Sequence, residues 1–551
     1  MNKSNPKDIA TGHGRIERGL DTAPRSRQFQ GRFGRMFRSL PPADFDDAAL
    51  VKLATAMISP PELGKDGKPT VTPETEIDDE ENFGLPAGYT YFGQFVDHDI
   101  TFDPLSSLVR LNDPDGLTDF RSPALDLDSL YGRGPEDVPY MYDPSGRKFL
   151  LGDRDLTGAT SDGGAIVALT KDLPRFRGRA IIGDKRNDEN VIVSQIQGLF
   201  LRFHNFLADS NPDLSFLEVQ RLVRWHYQWL IIFDYLPRII GRARVAQILP
   251  HILGTDSIYE DRPQLHFYCP RNESFMPIEF SGAAYRFGHS MVRPIYRLSF
   301  ADLTVSVDIT NLGGRKPVFA PNPNDGLNGF QEFDAKNGID WRLFFDTPDH
   351  PITPLTKNKS RVQPAYKIDT SLVNPLGFLP EFSRPGSNDP IGAINSNSLA
   401  FRNLKRGVTL QLPSGQAVAR FMGLTPLPDE KLRVGKANVD GLEGNPTIAD
   451  IDPSFAGKAP LWFYVLAEAF NEWKNLADSE TTDDGKNSRH TILGPVGGRI
   501  VGEVLIGLIL NDNDSFLAMD PTWTPMFGDP DAVEIFDRFT VGNLVQAVPA
   551  V

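Results

Sequence analysis

The chain has 551 residues, of which 40% are hydrophobic and 23% charged, and a net charge of -15. That is the composition of a globular protein long enough for one large domain or two to three smaller ones. The acidic balance argues against a nucleic-acid partner, and the single cysteine, Cys269, excludes an intrachain disulfide and any Cys-based zinc or iron–sulfur site.

Residues 1–40 are rich in Arg and Gly with little periodicity, and read as an irregular arm lying on an acidic body. They contain no apolar signal core. The expected location is therefore cytoplasmic, or exported without a recognisable signal. Pro41-Pro42 opens a short helix over 44–57, and 59–83 reads as an exposed loop. The resulting division is an N-terminal arm and loop over 1–80 and a single domain over 81–551.

Next comes Gly93-Gln94-Phe95-Val96-Asp97-His98-Asp99. On a helix Gln94 and His98 stand one turn apart on one face, with Asp97 beside them and Asp99 turned about 100° from His98. Tyr91, Phe92, Phe95 and Val96 around them mark a polar face inside an apolar pocket. Residues 105–123 read as loop, with a hairpin near 148–170. Apolar residues at 192, 193, 196, 199, 200, 203 and 207 fit a long helix, and 216–240 a second. Residues 278–292 read as one helix ending before Pro294, with Gly282, Ala283 and Ala284 admitting close approach of another element. A short strand is expected at 303–309, loop over 346–395, and helices at 396–406, 414–423, 460–476 and 496–510. No apolar run approaches the roughly 20 residues that span a bilayer. The best candidate, 501–510, contains Glu503. The fold class is mainly α, multihelical, with long irregular loops and few short strands.

The chain has no phosphate loop ending in Gly-Lys-Ser/Thr, no nucleophile elbow with His and Asp partners, and no His-Glu-x-x-His. Of the nine histidines, two lie in apolar, Gly-containing helical settings: His98, and His289 in Ala283-Ala284-Tyr285-Arg286-Phe287-Gly288-His289. Two helices each offering one histidine to a shared cavity are the minimum for a haem with one ligated and one open face. On pattern alone, the better reading of each histidine is a hydrogen-bonded core residue.

Residues 93–99 resemble the distal haem motif of the animal haem peroxidase family, within the peroxidase–cyclooxygenase superfamily. Further segments resemble that family in the same order. Ser122-Pro123-Ala124-Leu125-Asp126-Leu127-Asp128 is similar to its calcium loop. Arg186-Asn187-Asp188-Glu189 is similar to its distal Arg-x-x-Glu, Leu201-Arg202-Phe203-His204-Asn205 to its Leu-Arg-x-His-Asn helix, and 285–289 to its proximal segment. Asn403 to Arg406 fits its Asn-x-x-Arg. The likeness runs from about residue 85 to 510. The lack of disulfides and the run Leu412-Pro413-Ser414-Gly415-Gln416 resemble its bacterial branch.

The resemblance implies a haem peroxidase with a multihelical peroxidase fold. It would reduce hydrogen peroxide via a ferryl intermediate and oxidise halides, pseudohalides or small phenolic donors. His289 is the implied proximal iron ligand, its other ring nitrogen donating to Asn403. His98 is the implied distal base, Arg186 the fixed positive charge, and Gln94 the holder of a water or halide over the iron. Asp97 and Glu189 match the carboxylates that the family esterifies to haem b, and Asn190 stands where a third, sulfonium link would need Met. Arg286 and Arg406 are expected at the haem propionates, with Arg406 reading equally as a helix cap. Calcium would be bound by Asp99, Ser122, the carbonyl of Ala124, Asp126 and Asp128, an oxygen-only set suited to a hard cation. His204 and Asn205 are expected to be structural.

The expected partners are peroxide and a small electron donor, with neither nucleic acid nor a membrane segment, and the chain is expected to be a monomer. A fatty-acid dioxygenase is the alternative within the superfamily; its radical tyrosine would fall where Arg286 stands. A haem-binding module with a vestigial site is the alternative outside catalysis. One departure from mammalian members follows Arg406: Gly407-Val408-Thr409-Leu410 replaces an Arg-Asp-His-Gly run.

Overall fold

A computed structural model describes residues 33–60, 80–102, 119, 121–159, 166–253, 258, 260–271, 273–300, 315–320, 325–350, 361–379, 397–436, 444–475 and 490–549. The strand expected at 303–309 lies outside these residues, as does most of 105–123. Among the described residues the molecule is mainly helical, and its strands form five separate two-stranded sheets.

Each long helix has a local reason to start. Helix α1 (Asp47–Met57) is capped by Asp46, whose carboxylate accepts from the Ala49 amide at 2.7 Å. Its Leu50, Leu53, Ala54 and Met57 are buried on one face. The strand Phe33–Gly34 just before it pairs in parallel with Met276–Pro277, so the described part of the first 60 residues is built into the core. Helix α2 (Gly88–Ile100) has no side-chain cap. Burial on nearly every side holds it instead, and Phe95 stacks on Phe200 with ring centroids 5.0 Å apart.

A single turn, α3 (Asp128–Tyr131), precedes the hairpin Asp155–Ala159 with Ile166–Lys171. Helix α4 (Val191–Ser210) starts at Asn190, whose side-chain oxygen accepts from the amides of Ile192 and Val193. Helix α5 (Phe216–Trp229) starts at a Ser215–Glu218 capping box. It runs through a π turn at Leu230–Tyr235 into α6 (Leu236–Ile240). Pro237 has no amide hydrogen to continue the α ladder, and the widened turn puts Asp234 where it accepts from Tyr89, Arg238 and the Val541 amide.

The helix expected over 278–292 is not continuous. Helix α7 (Ile278–Gly282) stops at Ala283, which has φ −140° and ψ −72°, and a 3₁₀ segment resumes over Ala284–His289. Arg286 accounts for the break. Its Nε takes the Ser281 carbonyl at 2.9 Å, and its amide bonds Ala283 three residues back. Gly282 lets the Leu410 side chain pack close: a Cβ there would stand 2.6 Å from its methyl group. Helices α8 (Leu399–Thr409), α9 (Gly415–Phe421), α10 (Leu461–Asn475) and α11 (Pro495–Leu510) complete the body.

Helix α11 is buried along almost its whole length. Its Glu503, fully buried, accepts from the consecutive amides of His266, Phe267 and Tyr268 at 2.7–3.0 Å. An apolar run with one carboxylate is thus explained as a core helix that fixes a neighbouring loop. No described helix is long and apolar enough to cross a membrane.

Candidate active site

Helix α2 presents Gln94 and His98 one turn apart. His98 is buried, with Nδ1 2.8 Å from the side-chain oxygen of Asn187. Its Nε2 is 3.7 Å from Glu189 Oε1, beyond hydrogen-bonding distance. Burial, followed by the nearby Arg186 cation, lowers the imidazole pKa to about 4. His98 is therefore neutral near pH 7 and able to accept a proton.

The turn Lys185–Asp188, with Glu189 and Asn190 after it, brings the other groups in. Gln94 Nε2 donates to Glu189 Oε1, and Gln94 Oε1 accepts from Asn190 Nδ2 at 3.0 Å. Arg186 NH2 donates to the His98 carbonyl at 2.9 Å and to Asp184 Oδ2 at 2.8 Å, and its Nε lies 3.2 Å from each Asp184 oxygen. The cation thus sits on a carbonyl at the C-terminal end of α2, where the helix dipole favours it. The Phe102 ring lies 4.7 Å below the guanidinium. Half-buried Asp97 accepts from Thr101 Oγ1 at 3.1 Å.

The second histidine arrives on the 3₁₀ segment after Ala283. Tyr285 OH donates to the Gly93 carbonyl at 3.3 Å, so the segments carrying His98 and His289 touch. Gly93 leaves room there for Tyr235. His289 Nδ1 faces Asn403 Nδ2 at 2.7 Å, while Asn403 Oδ1 accepts from Arg286 NH1 at 3.4 Å. In this arrangement the amide donates to the imidazole. The expected direction, imidazole to amide, follows from a half-turn of the Asn403 amide. Burial and then Arg286 lower the His289 pKa to about 3. A Cβ on Gly288 would meet nothing within 4 Å, so open space adjoins His289. Trp462 donates from Nε1 to the Arg286 carbonyl at 3.1 Å and anchors this segment to α10. Arg406 lies in the last turn of α8, one turn beyond Asn403.

On the other side of α2, Asp99, Asp126 and Asp128 offer carboxylate oxygens within 4.8 Å of one another. Asp99 accepts from the Leu127 amide at 3.1 Å and from Ser129 Oγ at 3.2 Å. Ser122 Oγ donates to Asp126 at 2.9 Å, and Ala124 lies in the same loop. Leu127, between the two loop aspartates, adopts a left-handed φ of 59°, a strained geometry for a side chain of this kind. Burial, then the neighbouring carboxylates, push Asp99 well above the ordinary range. Asp128 is raised to about 7 by burial, with Asp126 adding to the shift and Arg121 opposing it. Three crowded carboxylates with one guanidinium at their edge are an oxygen-only donor set that a hard divalent cation would neutralise.

His204 and Asn205 lie apart from these groups. His204 bonds Tyr131 OH and the Arg147 carbonyl, each at 3.0 Å, and Asn205 exchanges two hydrogen bonds with the Phe149 backbone. Both fasten the 131–149 segment to α4. Three residues next to the site carried no recognised signal of a functional role: Arg121, Asn187 and Gln197. Asp184, the N-cap of the 185–188 turn, is another: its side chain accepts from the Arg186 amide at 2.8 Å.

Residues 119–324 match the family model described as animal haem peroxidase. Thyroid peroxidase of Mus musculus is 26% identical over 394 residues, covering 68% of this chain and 37% of that protein. A peroxidase-like protein of Margaritifera margaritifera is 26% identical over 264 residues, covering 38% and 32%. The chain thus spans about a third of the length of these curated relatives. Among solved structures, peroxidase A from Dictyostelium discoideum superposes with a TM-score of 0.55 at 15% identity, covering 96% of both chains. That likeness shows a shared fold.

Proposed function

We propose that this chain, which matches the animal haem peroxidase model over residues 119–324, is a haem peroxidase of that family, reducing hydrogen peroxide and oxidising a halide, a pseudohalide or a small phenolic donor. One observation carries the reading. Two neutral histidines, His98 buried and His289 half-buried, sit on touching segments, one beside a guanidinium and an amide, the other tied to an asparagine and bordered by open space.

Haem b fits this donor set. His289 Nε2 has no hydrogen-bond partner among the described residues and would hold the iron. Asn403 would orient the ring and select its tautomer. Asp97 and Glu189 are the carboxylates for ester links at the haem edge, and Arg286 and Arg406 the cations for its propionates. Bound haem supplies an iron centre that takes two oxidising equivalents from peroxide and passes them to a donor.

The chain's own residues do the rest. His98 Nε2 takes a proton from peroxide and returns it to the departing oxygen. Arg186 is anchored by Nε and NH2, so NH1 remains to face charge developing beside His98. Gln94, gripped by Glu189 and Asn190, holds a water or halide in a set orientation. A calcium ion at Asp99, Ser122, Ala124, Asp126 and Asp128 would brace α2 from behind, since Asp99 adjoins His98. The absence of disulfides and the 412–416 run support the bacterial branch.

The dioxygenase reading has less support. Position 286 is Arg, and the Tyr285 hydroxyl is committed to Gly93. The test compares wild type with His98→Ala in stopped flow. Loss of a positioned general base should slow the reaction with peroxide by roughly 10²–10⁴-fold without loss of haem. Equal, slow rates in both proteins would instead indicate a vestigial haem module.

A further inference from the structure

We propose that Asn187 and Gln197 form a positioning relay that holds His98 with its proton on Nδ1, leaving Nε2 as the free base. The inference rests on the reading of His98 as the proton acceptor and adds to it the groups that choose its tautomer.

Both relay residues are fully buried. Asn187 lies in the same 3₁₀ turn as Arg186, and Gln197 in the second turn of α4. Asn187 Nδ2 donates to Gln197 Oε1 at 2.8 Å, and this turns Asn187 Oδ1 toward His98 Nδ1, also at 2.8 Å. A carbonyl oxygen can only accept, so the imidazole must donate from Nδ1. A neutral imidazole then carries a lone pair on Nε2, the nitrogen on the Glu189 and Gln94 side of the ring.

The reverse chain is conceivable: Gln197 donating to Asn187, and Asn187 donating to Nδ1. In either direction one polar atom of Gln197 lacks a partner, and in the arrangement described it is Nε2. The histidine end therefore decides. Reversal would put the imidazole proton on Nε2, where the nearest carboxylate oxygen is 3.7 Å away and already accepts from Gln94. It would also give a base with no lone pair facing the pocket. Arg186 and Asn187 are consecutive. One turn thus grips His98 twice: Arg186 on its carbonyl at 2.9 Å and Asn187 on its ring.

The tautomer is read from the imidazole ¹⁵N shifts of His98, assigned by their loss in His98→Ala. They are recorded on the purified protein without haem and on its diamagnetic ferrous carbonyl form. Wild type should show Nδ1–H in both. Asn187→Leu should mix the tautomers and slow the reaction with peroxide by roughly ten- to hundredfold at unchanged haem content. Asn187→Asp keeps an acceptor facing Nδ1 and should restore the tautomer and most of the rate. Should Asn187→Leu fail to fold, Gln197→Leu should show a smaller shift in the same direction. An Nε2–H tautomer in wild type overturns the relay, as does a variant that folds and keeps the wild-type tautomer and rate. A wild-type rate in His98→Ala removes the underlying peroxidase reading instead, and leaves the tautomer measurement standing.

Discussion

Asp184 holds Arg186 at 2.8 Å, and the same carboxylate oxygen accepts from Arg121 at 2.6 Å. Burial alone would raise this carboxyl; Arg186 and Arg121 together keep it far below the ordinary carboxylate range. Arg121 also reaches Asp128 at 3.2 Å. A continuous chain of charges therefore runs from the acidic loop, through Arg121 and Asp184, to the cation beside His98. Asp184→Ala would leave two guanidiniums largely buried without their shared anion. We expect a loss of ~3–5 kcal/mol in stability and a slower reaction with peroxide, read by urea unfolding and stopped flow. A loss below about 1 kcal/mol would mean that other groups hold Arg186.

The acidic loop should respond to calcium. Calcium should raise the melting temperature, and a chelator should lower it along with haem retention. Asp126→Ala combined with Asp128→Ala should abolish both responses. Asp128 titrates at about 7, so calcium binding should release more protons at pH 6 than at pH 8. Calorimetry in two buffers of different ionisation enthalpy measures this. Identical melting curves with and without chelator would remove the cation site.

The pH dependence follows from His98. Its imidazole is lowered from 6.5 to about 4, so its neutral, proton-accepting form prevails above that value. The rate constant for the reaction with peroxide should be flat from about pH 5 to 8. Below about pH 4 it should fall nearly tenfold per unit as His98 becomes protonated. A midpoint near 6.5 would contradict the burial-driven shift.

Asn403 should matter through His289 alone. Asn403→Leu removes the hydrogen-bond partner of Nδ1 and leaves the helix intact. We expect weaker haem binding, by roughly ten- to hundredfold, and a shifted Fe–His stretching frequency in the ferrous protein. Unchanged affinity and frequency would place the proximal ligand elsewhere.

What the sequence disclosed is what lies along one element. Gln94 and His98 share a face because four residues make about one helical turn, and α4 announces itself through its apolar period. The break at Ala283 was not legible: the residues from 278 to 292 suit a helix, and it is the side chain of Arg286, bonded to Ser281, that ends it. Nor was the partner of His98. Asn187 lies 89 residues away in sequence, and only the packing of the 185–188 turn against α2 brings the two together. Trp462 is buried in the core, and its indole N–H also anchors the segment that carries His289.

The most direct test of the central claim is the absorption spectrum of the haem-loaded protein before and after one equivalent of hydrogen peroxide, repeated with iodide, bromide, chloride and a phenol. A peroxidase built on His98 and His289 should show a Soret band, a rapid peroxide-dependent change in it, and a return to the starting spectrum when a competent donor is added. A protein that acquires no Soret band, or whose band does not respond to peroxide, would contradict the account.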